Sequence, residues 1–440
     1  MDKEIQSNSH RIKIKFFIST KGIQHVDLSN PGLGNPGIGA TEYLFVLLAT
    51  ELSKQFGGDY DIGLVVDSNM RLPSNINVTV VKDVFAAIEV SKETNTDILV
   101  IRSVIDKELY KKVDNAEQIV ITWSHNKIEA PLANMLSKSN YVKRNICVGA
   151  HQAFELVGHR LFNKTEVIYN PVVTCADNKS ALKKPIVTYI GHISKSRGLH
   201  ILLKEWKKVL DQVPDAQLNI IGSAKLYNRN VTLGELGIAH PSYEKVLKRY
   251  LLDGNGNILP CIHLWGVVGQ EKNEIFKETK VGVINPYGYE TLGLSGLEMM
   301  SFGIPIVTIN KYGQSEIVNN TQTGFLFSRK SELHKYIIQV LKDDNAYNYY
   351  SPKCEKWIHD NFSINVILRD WIRELDLVIN DISPKQSKIT ALKLSKQEKI
   401  ILIYTKITRF FNFLPPYIVI AYKLKSIIKN SLIWQPRKKR

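Results

Sequence analysis

Residues 285 to 324 read NPYGYETLGLSGLEMMSFGIPIVTINKYGQSEIVNNTQTG, and the fold follows from how this stretch is parsed. The apolar run before it, Val281 to Ile284, predicts a buried strand that stops at Asn285-Pro286. A helix is expected from near Gly293 to Phe302, with Gly303 as its C-terminal stop and Pro305 just beyond. Ile304 to Ile309 then forms the next strand. The unit is strand–loop–helix–strand, with the helix N-terminus at the C-terminal edge of a parallel sheet. Amides at Gly293, Leu294 and Ser295, together with the helix dipole, suit a phosphate. Glycine there allows close backbone approach. Glu290 stands before the helix and Glu298 lies five residues inside it, roughly 7.5 Å further at ~1.5 Å per residue.

Two glutamates eight apart carry little weight alone, since a solvated Glu290 and a surface Glu298 would look the same. The ordered string carries more. Pro286, Glu290, Gly293-Leu294, Glu298, the small-Gly-x-Pro-x-Val run over Ser301 to Val307, Glu316 and Thr323-Gly324 follow one another. In that order they resemble the E-x7-E signature of the family-4 retaining glycosyltransferases, which have the GT-B fold and use nucleotide-sugars. Leu292 stands where the family usually has an aromatic residue. The resemblance implies that Glu290 lies by the transferred sugar and Glu298 holds the nucleotide ribose. It covers about residues 12 to 380, with its specific motifs mainly in the second half.

A chain of 440 residues is long for one domain and predicts two cores. Cys147, Cys175, Cys261 and Cys354 are far apart and form no C-x-x-C pair. That argues against structural zinc and fits a reducing cytoplasm. The polar start, Met1 to His10, lacks a signal-peptide core, and no long uncharged apolar stretch predicts a spanning helix. Net charge is +16, but residues 384–440 hold eleven Lys and three Arg against one acid, Glu398, which is +13. The basic object is therefore the tail, and nucleic acid is not expected as a partner.

Along the chain, Arg11 to Ser19 predicts a first strand, and Asn30 to Tyr43 a glycine-rich loop. A helix follows with Leu44, Leu47, Leu48 and Leu52 on one face. Strand-like runs continue at Ile62–Val66, Ile76–Val81, Ile98–Ile101, Ile119–Trp123, Ile146–Val148 and Val167–Tyr169. Alternation of this kind predicts a doubly wound α/β sheet. Gly32, Gly34 and Gly37 match a dinucleotide fingerprint, with Asp67 as its ribose acid, but they begin about a dozen residues after the strand rather than on it. By resemblance, Gly39 instead approaches a donor diphosphate. Asp59-Tyr60-Asp61 matches a metal-binding D-x-D, yet it precedes the Ile62–Val66 strand and reads as a solvated turn. No metal or cofactor is expected.

His125 ends a strand, at the edge where ligands gather, and resembles the family's donor- or acceptor-contacting histidine. Thr174 to Lys184 reads as a linker. After the strand at Ile186, the family usually shows Gly-Arg and then Lys-Gly; this chain has Gly191-His192 and Arg197-Gly198. Either His192 is protonated beside the diphosphate, or Lys195 or Arg197 supplies the charge. Val267 resembles the family's contact to the base. The domains expected are residues 1–173 (Rossmann-like, acceptor side), a linker at 174–184, and 185–362 (Rossmann-like, donor side). Residues 363–383 form a helix that can cross back, and 384–440 a basic amphipathic tail. The tail's apolar runs alternate with lysines and break at Pro415-Pro416. Two short helices on an anionic membrane surface fit it, and packing on the first domain is the alternative.

The expected function is retaining transfer of a sugar, hexosyl in type, from a nucleoside-diphosphate sugar to a glycan or lipid-linked acceptor. The setting expected is cell-surface polysaccharide assembly, such as capsule or lipopolysaccharide, on the cytoplasmic face of the membrane. Candidate residues are Glu290, Arg197 and His125 for catalysis. For the donor they are Gly39, His192, Gly293, Leu294, Ser295, Glu298 and Val267. An NAD(P)-dependent enzyme using Gly32–Gly37 and a non-catalytic nucleotide-sugar binder remain open.

Overall fold

The apolar runs become strands of two parallel sheets in the computed structural model, which describes residues 11–174, 183–227, 230–392, 394, 396–410 and 414–433. The polar N-terminus and most of the expected linker lie outside these residues, as do Phe411 to Phe413 and the basic end from Trp434. The first sheet has seven strands: β1 Ile12–Ile18, β2 Tyr60–Val66, β3 Asn77–Val80, β4 Ile98–Arg102, β5 Val120–Ser124, β6 Val142–Cys147 and β7 Thr165–Val167. They are ordered β3-β2-β1-β4-β5-β6-β7. Helices α1 Ala40–Phe56, α2 Val84–Glu93, α3 Lys107–Ala116, α4 Ala130–Lys138 and α5 Ala150–Phe154 connect them.

The second sheet has six strands: β8 Ile186–Ile190, β9 Gln217–Ile221, β10 Ile262–Gly266, β11 Val281–Val283, β12 Ile306–Ile309 and β13 Gly324–Phe327. Their order is β10-β9-β8-β11-β12-β13. Helices α6 Leu199–Leu210, α7 Pro241–Leu251, α8 Lys272–Glu278, α9 Leu294–Ser301, α10 Gln314–Ile317 and α11 Leu333–Lys342 accompany them. In both sheets the order reverses beside the first strand, at β1/β4 and β8/β11. Ligands collect outside the carboxyl ends of strands at such switch points. Here the two switch points face one cleft of about 730 Å³, lined from both domains.

The long helix α12, Asp344–Phe362, is followed at once by α13, Ile364–Ile379. The chain returns beside its own exit, where Val172 pairs with Ser363. Helix α13 then packs on the first domain. Trp371 is fully buried, its ring 5.9 Å from that of Phe16 and 5.0 Å from that of Trp123. Glu374 forms a buried ion pair with Arg144 on β6. Tyr60 bonds Asp376. This last contact corrects the reading of Asp59-Tyr60-Asp61 as a solvated turn. Strand β2 starts at Tyr60, which is buried, because its ring has α13 to pack under.

The tail continues as α14 Ser387–Thr390, α15 Lys396–Phe410 and α16 Tyr417–Ile433. Of the two readings of the tail, packing on the first domain is seen for one face of these helices. Thr405 meets Gly158, and Ile389 and Ile418 enter the first domain's core. Lys425 pairs with Glu129, and Glu398 with His151. Among the described residues no helix is long and apolar enough to cross a membrane.

Candidate functional site

The cleft's second-domain wall is built by the loop between β11 and α9. Asn285 sits at φ +27, a region asparagine tolerates. Its Oδ1 accepts from the Gly288 N–H at 2.9 Å. Its Nδ2 donates to the Tyr289 carbonyl at 3.2 Å and to Glu290 Oε2 at 3.4 Å. That one side chain folds the loop so that Glu290 faces the cleft. Gly293 then starts α9 at φ +91, and no side chain caps the helix. A Cβ on Gly296 would come within 2.7 Å of Ile284 and Ile317, so a small residue is required for α9 to lie this close to β11. Leu294, Ser295 and Glu298 line the cleft with Gly293.

Arg197 ends a short 3-10 turn, Lys195–Arg197, before Gly198 at φ +77. Its Nη1 donates to the Tyr289 carbonyl at 3.3 Å and pairs with Glu290. Burial works against this charge, but Glu290 beside it wins and holds the guanidinium pKa above its ordinary value. His192 is different. Its Nε2–H donates to the Ala224 carbonyl at 3.2 Å, and burial pushes its pKa down. A neutral imidazole bound to a carbonyl is no phosphate counter-charge, and Lys195 is exposed. Of the options the sequence left open, Arg197 is the cation in the cleft.

Glu298 meets a residue that sequence reasoning missed. The Nζ of Lys272 donates to Glu298 Oε1 at 2.9 Å and to the Asn35 carbonyl at 3.4 Å. Its spacing was a usable signal, since Lys272, Ile275 and Phe276 share the buried face of α8. A lysine on such a stripe invites the question of its partner.

On the first-domain wall, Gly39 is the N-cap of α1, and the Glu42 carboxylate folds back against it where a Cβ would stand. Burial raises the Glu42 pKa, opposed in part by Arg102 at 3.6 Å. His125 is 9 % exposed, and neither ring nitrogen has a protein partner. Burial, with Arg102 adding to it, pushes its pKa down to about 3. It is therefore a neutral imidazole on the cleft wall, with its ring nitrogens buried. Its carbonyl accepts from Thr291 Oγ1 at 2.9 Å, across the domain boundary. Lys127 pairs with Glu155 at 2.8 Å and sits 4.7 Å from the Tyr289 ring centre. Val267 is exposed just past the end of β10 and lines the same space. Behind the cleft, Glu316 accepts from the amides of Ala150 and His151 at 2.6 and 2.7 Å, another bond between the domains.

The remaining sequence candidates fall elsewhere. Asp67 accepts from Ser19 Oγ at 2.7 Å and the Thr20 amide at 2.8 Å. It ties the end of β1 to that of β2. Gly32 lies in a short 3-10 turn, Pro31–Leu33, while the α-helix opens only at Ala40, so the dinucleotide arrangement is not formed. Among the described residues no three His, Cys, Asp or Glu side chains gather as a metal-binding set. Glu42, Arg102 and Lys127 were missed as cleft residues. Glu42 lies at the end of the glycine loop, Lys127 two residues past His125, and Arg102 directly after the Ile98–Ile101 run.

A family model described as glycosyl transferases group 1 matches residues 175–357. An uncharacterized glycosyltransferase of Haemophilus influenzae is 24% identical over 46% of this chain and 53% of its own length. The UDP-Gal:alpha-D-GlcNAc-diphosphoundecaprenol alpha-1,3-galactosyltransferase of Escherichia coli is 26% identical over 47% of this chain and 51% of its own. The matches thus span about half the length of these relatives. The solved structure of Anabaena HepE with UDP and glucose is similar with a TM-score of 0.59. It is 14% identical over 83% of this chain and 100% of that one. The fold is GT-B: two facing Rossmann-like domains with the cleft between them.

Proposed function

We propose that this chain transfers a sugar, hexosyl in type, from a nucleoside-diphosphate sugar to a glycan or lipid-linked acceptor, with retention at the anomeric carbon. One observation carries the reading. The open amide end of α9, the Arg197–Glu290 pair and Glu298 stand together on one wall, and the glycine loop ending at Gly39 faces them. The donor diphosphate rests on the Leu294 and Ser295 amides, and Arg197 stabilises the charge that grows on it as the glycosidic bond breaks. No metal is required in this scheme. Glu290 orients the sugar and Glu298 the ribose, with the base near Val267. Neutral His125 supplies hydrogen bonds to the sugar or the incoming hydroxyl without adding charge. The acceptor hydroxyl attacks from the face that the diphosphate leaves, and its proton passes to the departing phosphate oxygen. Closure of the two domains keeps water from taking the sugar. Support for a lipid-linked acceptor comes from the E. coli relative's name, and for a UDP-sugar from the Anabaena structure.

Donor binding is the direct test. Thermal shift across UDP-, GDP-, ADP- and TDP-sugars, beside NAD and NADP, should show stabilisation by a sugar nucleotide that Glu298→Ala abolishes. A shift with NAD or NADP alone would overturn the reading. No shift with any of them would leave a fold without this donor.

We further propose that the protein works at an anionic membrane face in cell-surface polysaccharide assembly. The outer faces of α15 and α16 expose Ile400, Ile403, Ile407, Leu424, Ile427 and Ile428. Lysines at 399, 406, 423 and 429 lie on the same two helices, while the tail's one acid, Glu398, turns inward to His151. Aliphatic groups among unopposed cations suit a leaflet of anionic lipids. The protein should co-sediment with vesicles containing phosphatidylglycerol and not with pure phosphatidylcholine, and Ile427→Glu with Ile428→Glu should abolish this. Equal binding to both vesicle types would remove the charge argument.

A further inference from the structure

Lys272 has no part in the chemistry above, yet its placement is costly. It is the first residue of α8, where a cation opposes the helix dipole, and it is 6 % exposed. A buried ammonium is tolerated when its donors are met. Two of its three N–H donors have protein acceptors, Glu298 and the Asn35 carbonyl. Those acceptors belong to different domains.

We propose that Lys272 is a positioning residue for the donor. It holds the Glu298 carboxylate for the ribose hydroxyls and pins the opposite domain's glycine loop to that same carboxylate. Donor binding and cleft closure then share one side chain. This rests on the nucleotide-sugar reading of Glu298. The Asn35 carbonyl is a fixed target because the buried Asn35 side chain is itself tied down. Its Oδ1 accepts from the Gly37 and Ile38 amides, both at 3.0 Å, and its Nδ2 donates to the Ile38 carbonyl at 3.1 Å. The loops on either side meet backbone to backbone. A Cβ on Gly37 would stand 2.9 Å from the Val268 carbonyl oxygen, and one on Gly269 3.1 Å from that of Pro36. Such a junction has little side-chain area to hold it, and Lys272 supplies the charged link. With one Glu298 oxygen held by Lys272, the other is left for a ribose hydroxyl.

The test compares wild type, Lys272→Met, Lys272→Arg and the charge-free double variant Lys272→Met with Glu298→Gln. Hydrogen exchange of the free proteins should show residues 35–39 and 267–269 losing protection in Lys272→Met and keeping it in Lys272→Arg. Binding of UDP, GDP and ADP follows by calorimetry. The nucleotide that binds wild type should bind Lys272→Met about tenfold more weakly and Lys272→Arg within about threefold. In turnover with the matching sugar nucleotide, the loss should fall on donor KM more than on kcat. The double variant should fold as stably as wild type and bind no better than Lys272→Met, so that weak binding without loss of stability separates positioning from a folding defect. Unchanged affinity and loop protection in Lys272→Met would overturn the proposal. So would Lys272→Arg failing as badly as Lys272→Met. If wild type binds none of the three nucleotides, the donor reading falls, and loop protection alone decides whether Lys272 joins the domains.

Discussion

Arg197→Ala is expected to lower kcat for sugar transfer by about two to three orders of magnitude. Arg197 is the half-buried cation at the amide end of α9, and burial there makes its charge worth more than in water. Losing it also leaves Glu290 facing the diphosphate as an unpaired anion, so donor KM should rise together with the fall in kcat. Arg197→Lys keeps the charge but not the planar guanidinium, whose Nη1 meets both Glu290 and the Tyr289 carbonyl. It should lose only about tenfold. His192→Ala makes the decisive contrast. A neutral ring bonded to the Ala224 carbonyl carries no charge to lose, and its removal should cost less than about tenfold. Steady-state kinetics on the three variants settles the assignment. A His192→Ala loss equal to that of Arg197→Ala would show that the imidazole, not the guanidinium, meets the diphosphate.

The second large effect lies away from the cleft. Arg144→Met should destabilise the protein by about 3–5 kcal/mol, because it leaves the Glu374 carboxylate buried without its partner. Arg144 is 3 % exposed and Glu374 1 %. Burial already raises the Glu374 pKa in spite of Arg144. Arg144 also donates to the Ile382 carbonyl at 2.6 Å, so the change loosens the end of α13 as well. Adding Glu374→Leu should recover most of the loss, since two apolar side chains can replace a buried pair at little cost. Denaturant melts of both variants give the comparison. A single variant as stable as wild type would mean that water reaches Glu374.

Fold and cleft were legible in the sequence to different depths. Parallel strands buried on both faces read as plain apolar runs, so β1, β2, β4, β8, β9 and β11 stood out. Strand β13, Gly324–Phe327, is short and begins at a motif glycine, so the motif hid the strand. Glu290, Arg197 and Glu298 were visible because a helix start and its flanking residues are local in sequence. Lys272 could be flagged from its place on the buried stripe of α8, but its partners, Asn35 and Glu298, are tertiary facts. His192 was visible only as a residue that did not fit. Its neutrality comes from burial, with Arg197 adding to it, and no spacing rule supplies that. The two-faced tail was half legible. Its cations and apolar runs are in the composition, but the inward turn of Glu398 is a tertiary fact.

The return of α13 to the first domain also bears on how the chain is made. Trp371 fills the core between Phe16 and Trp123, so the domain that emerges first from the ribosome lacks a central piece until its far end is translated. At about 5–20 residues per second, the stretch from Val172 to Trp371 takes on the order of 10–40 s to synthesise. Throughout that interval the apolar face awaiting α13 is uncovered, while the continuous second domain can complete itself as it appears. Maturation therefore runs against the order of synthesis. A nascent chain stalled before Trp371 should carry a folded second domain behind a first domain that is still open to chaperones and proteases.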